Sequence, residues 1–263
     1  MILSTNERVY FRYLCGSKPF FCMFRSILLF SFLVPTFVSA QLVSSPSLIW
    51  TRYMVQTVGH PKHFFIAEID NRIQSLTNIG RRNQTISHAH FHYKIKESLD
   101  IALGTTFSNV ARYSSNEEKR VVNEFRIFEE LNFRHLQKRN VAIQSRIRIE
   151  QRYFPTEIKV GTNEPLPIQS RLRYQLQFSQ KFGKRSLLKI SDEIMFHAGG
   201  WVDHLRMDQN RVYLAARTQF TPSLALEAGY LWIINQGIET TSPVRETDVL
   251  RFTLHHSLAM KEK

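Results

Sequence analysis

The chain has 263 residues, a formal charge of +13 and 43% hydrophobic side chains. That hydrophobic share excludes disorder by composition, and 10 glycines with 9 prolines exclude a collagen-like or linker-like sequence. The length admits one large domain or two small ones.

The first element is a targeting segment over residues 1–40. Residues 26–40 read SILLFSFLVPTFVSA, with Arg25 before them and the small-residue site Val38-Ser39-Ala40 at the end. A charged flank, a short apolar run and such a site describe a secretory signal peptide cleaved before Gln41. The run is too short and wrongly flanked for a membrane-spanning helix. Met23-Phe24-Arg25 has the form of an ordinary signal-peptide start, so Met23 is an alternative initiator to Met1. Cys15 and Cys22 both precede it, so a mature chain from Gln41 has no disulfide and no thiolate metal site. That chain carries 31 basic against 21 acidic side chains, or +10. A basic balance of this kind fits nucleic acid, but export separates the chain from it, and no nucleic-acid partner is expected.

Beyond residue 41 no apolar run approaches the roughly 20 residues of a transmembrane helix. Alternation recurs instead, in eleven segments: 48–58, 63–76, 84–96, 98–111, 120–134, 140–154, 167–181, 187–197, 208–220, 223–236 and 246–259. In VAIQSRIRIEQRYF, residues 141–154, one set is Val141, Ile143, Ser145, Ile147, Ile149, Gln151 and Tyr153; the other is Ala142, Gln144, Arg146, Arg148, Glu150 and Arg152. A period of two puts these sets on opposite faces of a strand, whereas a helix would scatter the arginines around its circumference. Most segments exceed the five or six residues usual in soluble proteins and match the roughly 9–11 that a tilted strand needs to cross a bilayer. No helix or linker interrupts them, so residues 41–263 read as one domain.

The connections alternate between short (59–62, 97, 135–139, 182–186, 221–223) and longer (77–83, 112–119, 155–166, 198–207, 237–245). Short periplasmic turns and longer outer loops are the pattern of an outer-membrane barrel. On that pattern 48–58 would run inward from the outside, opposite to what a periplasmic N-terminus requires. Since bacterial barrels normally have even strand counts, ten or twelve strands are expected, with 48–58 either not a full spanning strand or one member of a set with a further strand unread.

A soluble sandwich turns its polar face to water; a membrane barrel turns it inward and its apolar face to lipid. The export signal, the segment lengths and the mixture of arginine with glutamate favour the barrel. The expected lumen-lining set is Glu124, Arg126, Arg146, Arg148, Glu150, Arg152, Arg171, Arg173, Glu193, Arg211, Arg217, Glu227 and Arg251, with Glu130 and Arg134 at matching depths. Glu129 and Asp192 fall on the opposite, apolar face, which calls for an interfacial position or a bulge that shifts the register.

These residues resemble a bacterial family known as domain of unknown function 2490. The carriers are Trp50, Glu68, Arg72, Glu124-Phe125-Arg126, the run from Arg146 to Arg152, Arg171-Leu172-Arg173-Tyr174, Glu193, Asp208 to Arg211, Gly229-Tyr230 and His255 to Leu258. The resemblance spans 48–259 and implies an outer-membrane β-barrel from a Gram-negative bacterium, of a kind common in Bacteroidetes. It implies no activity and no catalytic residue.

Two constellations merit weighing. His88, His90 and His92 share a strand face, but about 6.6 Å between successive side chains stretches three ligands on one tetrahedral ion. They read as polar lining, and neither a metal site nor a cofactor is expected. His255 and Ser257 share a face of the last strand, as a hydrolytic His and Ser would in a barrel wall, but no orienting third group accompanies them. Asn83-Gln84-Thr85 matches a glycosylation acceptor by chance, and Trp50, Trp201 and Trp232 are candidates for an aromatic girdle.

The expected protein is therefore all-β: a single antiparallel up-and-down transmembrane barrel of 10–12 strands in the outer membrane, with lipid as its partner. It is not expected to be an enzyme, and its role is read as structural, adhesive or narrow-channel. The alternatives are a barrel-wall lipid hydrolase using His255 and Ser257, or a soluble periplasmic binding barrel.

Overall fold

The computed structural model describes residues 42–44, 47–74, 82–113, 119–155, 168–199, 202–236 and 244–259. The expected targeting segment, both cysteines, Met23 and Trp201 lie outside the described residues, and so does the side chain of Asn83.

The strands are β1 (Leu42–Ser44), β2 (Leu48–Val58), β3 (His63–Gln74), β4 (Arg82–Lys96), β5 (Leu99–Tyr113), β6 (Lys119–Gln137), β7 (Val141–Tyr153), β8 (Gln169–Phe182), β9 (Ser186–Gly199), β10 (Val202–Gln219), β11 (Leu224–Asn235) and β12 (Val244–Ala259). Among the described residues there is no helix. From β2 to β12 each strand pairs antiparallel with the next, and β12 pairs back to β2, so the sheet closes.

The closure corrects the expected even count. Eleven strands form the barrel, and an antiparallel meander with an odd number necessarily brings its first and last strands into parallel. β12 and β2 run parallel in unbroken register from Val249 opposite Leu48 to Ala259 opposite Val58. β1 extends the same seam, with Leu42 opposite Val244. Both β2 and β12 therefore start at the end of the barrel that carries the longer connections. The strand 48–58 is complete, and the direction that seemed to disqualify it is the direction it takes.

Two boundaries also differ from expectation. β10 begins at Val202, although 198–207 reads as a loop, because register shifts between Val202 and Arg206 and between Met207 and Gln209 break the period of two. β6 runs on to Gln137 past a shift between Arg134 and Leu136. Bulges of this kind hide a strand from a reading based on alternation.

With strands about 4.8 Å apart and tilted by about 40°, eleven close to a backbone radius of about 11 Å, which only long side chains can fill. The filling divides into two parts. Trp50, Tyr213, Ala215, Leu231, Ile233 and Val249 form an apolar cluster on the buried face of β2 and β10–β12. On the buried face of β6–β9 charged side chains predominate, with Val122, Phe128, Met195 and three serines among them.

Candidate functional site: a buried charge ladder

Glu150 on β7 is 1% exposed and stands among four arginines. Its Oε2 accepts from Arg171 Nε at 2.9 Å, and its Oε1 accepts from Arg173 Nη1 at 2.6 Å. Arg126 and Arg148 each approach to 3.7 Å. Pairing register explains the crowding: Arg171 lies directly opposite Glu150 on β8, and Arg173 lies opposite Arg148. Long side chains on one face of neighbouring strands must meet.

The network continues on both sides. Arg173 Nη2 also donates to Glu193 at 2.8 Å, and Arg146 Nη2 reaches the same carboxylate at 2.6 Å. Arg148 Nε donates to Glu130 at 2.6 Å. Arg126 binds Glu124 with two hydrogen bonds of 2.8 and 2.6 Å, and Arg152 shares that carboxylate. Such forked pairs are the strong, geometrically specific form of the interaction. Burying both charges costs several kcal/mol per ion, which offsets much of what the pairing contributes.

Among the expected residues Glu124, Arg126, Arg148, Glu150, Arg171, Arg173, Glu193 and Glu227 are buried. Arg146, Arg152, Arg211, Arg217 and Arg251 are half-buried. Arg251 lies over the Tyr213 ring, 5.1 Å from its centroid, and Arg217 stands opposite Glu227. Several further charged residues join the network. Arg52 pairs with Glu68 at 2.7 Å and with Asp70; Asp100 pairs with Arg134; Lys189 Nζ donates to Glu227 at 2.6 Å; Asp208 lies 3.3 Å from Arg171. Arg52, Glu68, Asp70, Asp100 and Lys189 follow the same alternation, Asp100 in phase with Ala102, Gly104 and Thr106, so the signal that could have found them was present; Asp208 is out of phase with Arg211 and Tyr213, because it lies at the register shift between Met207 and Gln209.

Glu129 and Asp192 remain on the exposed face. Glu129 lies in unbroken register between Leu103 and Ile149, and Asp192 between Leu176 and Val212. The bulges on β6 and β10 lie elsewhere, so a register shift does not account for either acid. Asp192 accepts a 2.7 Å hydrogen bond from Asn210.

Of the histidines, His88 turns to Thr106 Oγ1 at 2.8 Å, while His90 and His92 face each other, Nδ1 to Nε2, at 2.8 Å. His255 is buried, with Nε2 3.5 Å from Glu227, too long for a hydrogen bond. Neither of its ring nitrogens bonds to Ser257, and both are without a hydrogen-bond partner among the described residues.

A family model described as "Protein of unknown function (DUF2490)" matches residues 48–242, ending before β12. No curated protein matches the chain. Among solved structures it is similar to a bacterial polysaccharide outer membrane secretin, at 10% identity and a TM-score of 0.42, over 68% of this chain and 60% of that one. It is also similar to the outer-membrane expressed OmpT of Vibrio cholerae, at 10% identity and a TM-score of 0.38, over 71% of this chain and 60% of that one. The chain thus spans about three-fifths of the length of each.

Proposed function

The chain belongs to the family of proteins of unknown function DUF2490, and we propose that it is an outer-membrane β-barrel whose bore is filled by its own side chains. Its role on this reading is structural or adhesive, without an enzymatic site and without a wide channel. The observation that carries the reading is an inverted sheet, charged inside and apolar outside. Glu150 and Glu227 are each 1% exposed, whereas Leu103 is 57% and Phe107 52% exposed, in company with Phe65, Ile69, Leu214, Leu250 and Phe252. A soluble barrel would lose the hydrophobic effect on all of that surface, and contiguous apolar patches of this extent mark a membrane or protein contact.

The band has an edge. On the exposed face Thr51, Asn71, Thr85, Asn109 and Asn123 fall in one row of successive strand partners near the longer connections. From Leu99 to Asn109 on β5 is ten steps, which at about 3.3 Å each and a tilt of about 40° spans about 25 Å, the height of the apolar band of an outer-membrane barrel.

The filled interior supports a closed bore. The ladder and the Trp50 cluster together cover the inner wall from β6 round to β2, and a cavity lined by Asn132, Gln144, Arg146 and Gln177 has about 210 Å³, room for a handful of waters. Against hydrolysis, His255 lies on the buried face, away from lipid, and lacks a bond to Ser257. Cell fractionation with detergent extraction, heat-modifiable gel mobility and planar-bilayer recording test the proposal together. Outer-membrane recovery, a mobility shift on boiling and no large stable conductance are expected. Recovery in the soluble periplasmic fraction would overturn the membrane assignment, and large cation-selective steps would overturn the filled bore.

A further inference from the structure

Strand β5 presents small residues inward: Ala102 stands between His92 on β4 and Glu130 on β6, and Gly104 stands between His90 and Phe128. A Cβ at Gly104 would lie 2.5 Å from His90 Cβ and 2.4 Å from the Phe128 ring, so this position must be glycine for side chains of β4 and β6 to meet over β5. They do meet. His90, His92 and Glu130 are all buried, and each offers one ligand atom within 4.8 Å of the others.

The tautomers are set by what surrounds them. His92 Nδ1 lies 2.9 Å from Asp100 Oδ1, so it donates its proton to that carboxylate and leaves the Nε2 lone pair aimed at His90 Nδ1, 2.8 Å away. A carboxylate behind a histidine in this way fixes the ring and raises its basicity in metal sites. Glu130 Oε2 faces Arg148 Nε and Nη2, each at 2.6 Å, with Arg146 Nε 3.9 Å away, whereas Oε1 accepts, among the described residues, only from Asn132 at 2.9 Å and keeps an acceptor position for a cation.

We propose that His90 Nδ1, His92 Nε2 and a Glu130 oxygen form a three-ligand site for a divalent cation of the zinc class, oriented by Asp100 and stapling β4 to β6 across β5. Two imidazoles and a carboxylate suit zinc with its fourth position open to water. The cation takes the place of the proton that His90 Nδ1 shares with His92 Nε2; that proton moves to His90 Nε2, so both rings stay neutral, and the shared pair opens to about 3.3 Å, the separation of two ligands about 2.0 Å from a tetrahedral ion. Arg148 and Arg134 already neutralise Glu130 and Asp100, so the ion competes with Arg148 for Glu130. The strand-spacing objection raised by the sequence does not hold, because two histidines and a residue from a different strand supply the ligands, and His88 takes no part.

The test is titration of the protein purified from membranes in detergent with Zn²⁺ by calorimetry and with Co²⁺ by visible absorption, folding being checked by heat-modifiable mobility. One equivalent of Co²⁺ with the absorption of a four-coordinate ion is expected. Binding should be lost in His92→Ala and Glu130→Gln, weakened about tenfold or more in Asp100→Asn, tightened in Arg148→Gln and unchanged in His88→Ala. The absence of one-to-one binding in the wild-type protein overturns the proposal whatever the variants do. Undiminished binding in folded His92→Ala, or unchanged or weaker binding in folded Arg148→Gln, overturns it as well.

Discussion

The Arg72 guanidinium stacks 3.7 Å from the centre of the Trp50 ring, and the two residues are direct partners across β2 and β3. Trp50 also stands opposite Arg251 across the parallel seam and packs in the apolar cluster at 4% exposure. One side chain thus joins the charged and apolar halves of the filling at the point where the barrel closes. Trp50→Ala should destabilise the barrel by about 3–5 kcal/mol through the cavity it leaves. Denaturant titration in detergent, read by the gel mobility of the folded form, measures this; a loss below about 1 kcal/mol would mean that the seam does not depend on the ring.

Among the described residues, Glu150 alone approaches all four of Arg126, Arg148, Arg171 and Arg173 to within 4 Å. Glu150→Gln keeps the shape and removes the charge, leaving buried guanidinium groups undercompensated. A cost of about 3–5 kcal/mol is expected, as for breaking one partner of a buried pair. The double change Glu150→Leu with Arg171→Met should cost less than Glu150→Gln alone, because it removes a cation along with the anion. Stability measurements on the two variants decide whether the ladder acts as a coupled unit.

Glu129 faces outward between Leu103 and Ile149, in the middle of the apolar band. In a bilayer an outward acid is costly, though less so than Arg or Lys. Glu129→Leu should therefore stabilise the barrel by about 1–2 kcal/mol in lipid vesicles. In a barrel surrounded by water the same change should be neutral or promote aggregation. The sign of the effect in vesicles separates a lipid-facing from a water-facing wall.

The faces of β7 offer a direct labelling assay. Ile149 is exposed and Arg148 is buried. With Cys15 and Cys22 replaced by Ser, Ile149→Cys should react with a lipid-soluble maleimide while Arg148→Cys stays protected. The reverse pattern would place the charges outside.

Much of this was legible in the sequence, and the losses have physical causes. Period-two patterning located eleven segments and separated Arg148 from Ile149, because one face is charged and the other apolar. It failed where the pattern lapses. Leu231 and Ile233 point inward as apolar filling between outward Tyr230, Trp232 and Ile234, so the upper part of β11 reads the same on both faces. β10 was read six residues short because its register shifts fall among polar residues. The ladder was readable as composition, but which arginine meets which glutamate depends on the stagger between strands, and that is written in no single segment. The meeting of His90, His92 and Glu130 is of the same kind: it needs Gly104 and Ala102 to be read as gaps between two other strands.

The parity of the barrel yields the last prediction. Eleven strands require β2 and β12 to be parallel, and on the exposed face this sets Tyr53 opposite Leu254. A ten-stranded barrel without β2, or a twelve-stranded one with an unread strand between them, would separate that pair by at least one strand. In a chain with Cys15 and Cys22 replaced by Ser, the pair Tyr53→Cys and Leu254→Cys should cross-link under mild oxidation, since disulfides span Cα separations of about 4.4–6.8 Å. Tyr53→Cys with Leu250→Cys is the control, displaced four residues along the seam, or about 13 Å. Cross-linking fixes the length of the closed ring, so the product should keep the mobility of the folded form at temperatures that unfold the parent. Efficient cross-linking of the control with none of the first pair would show a seam of different register, and failure of both in folded protein would show that β2 does not close the barrel.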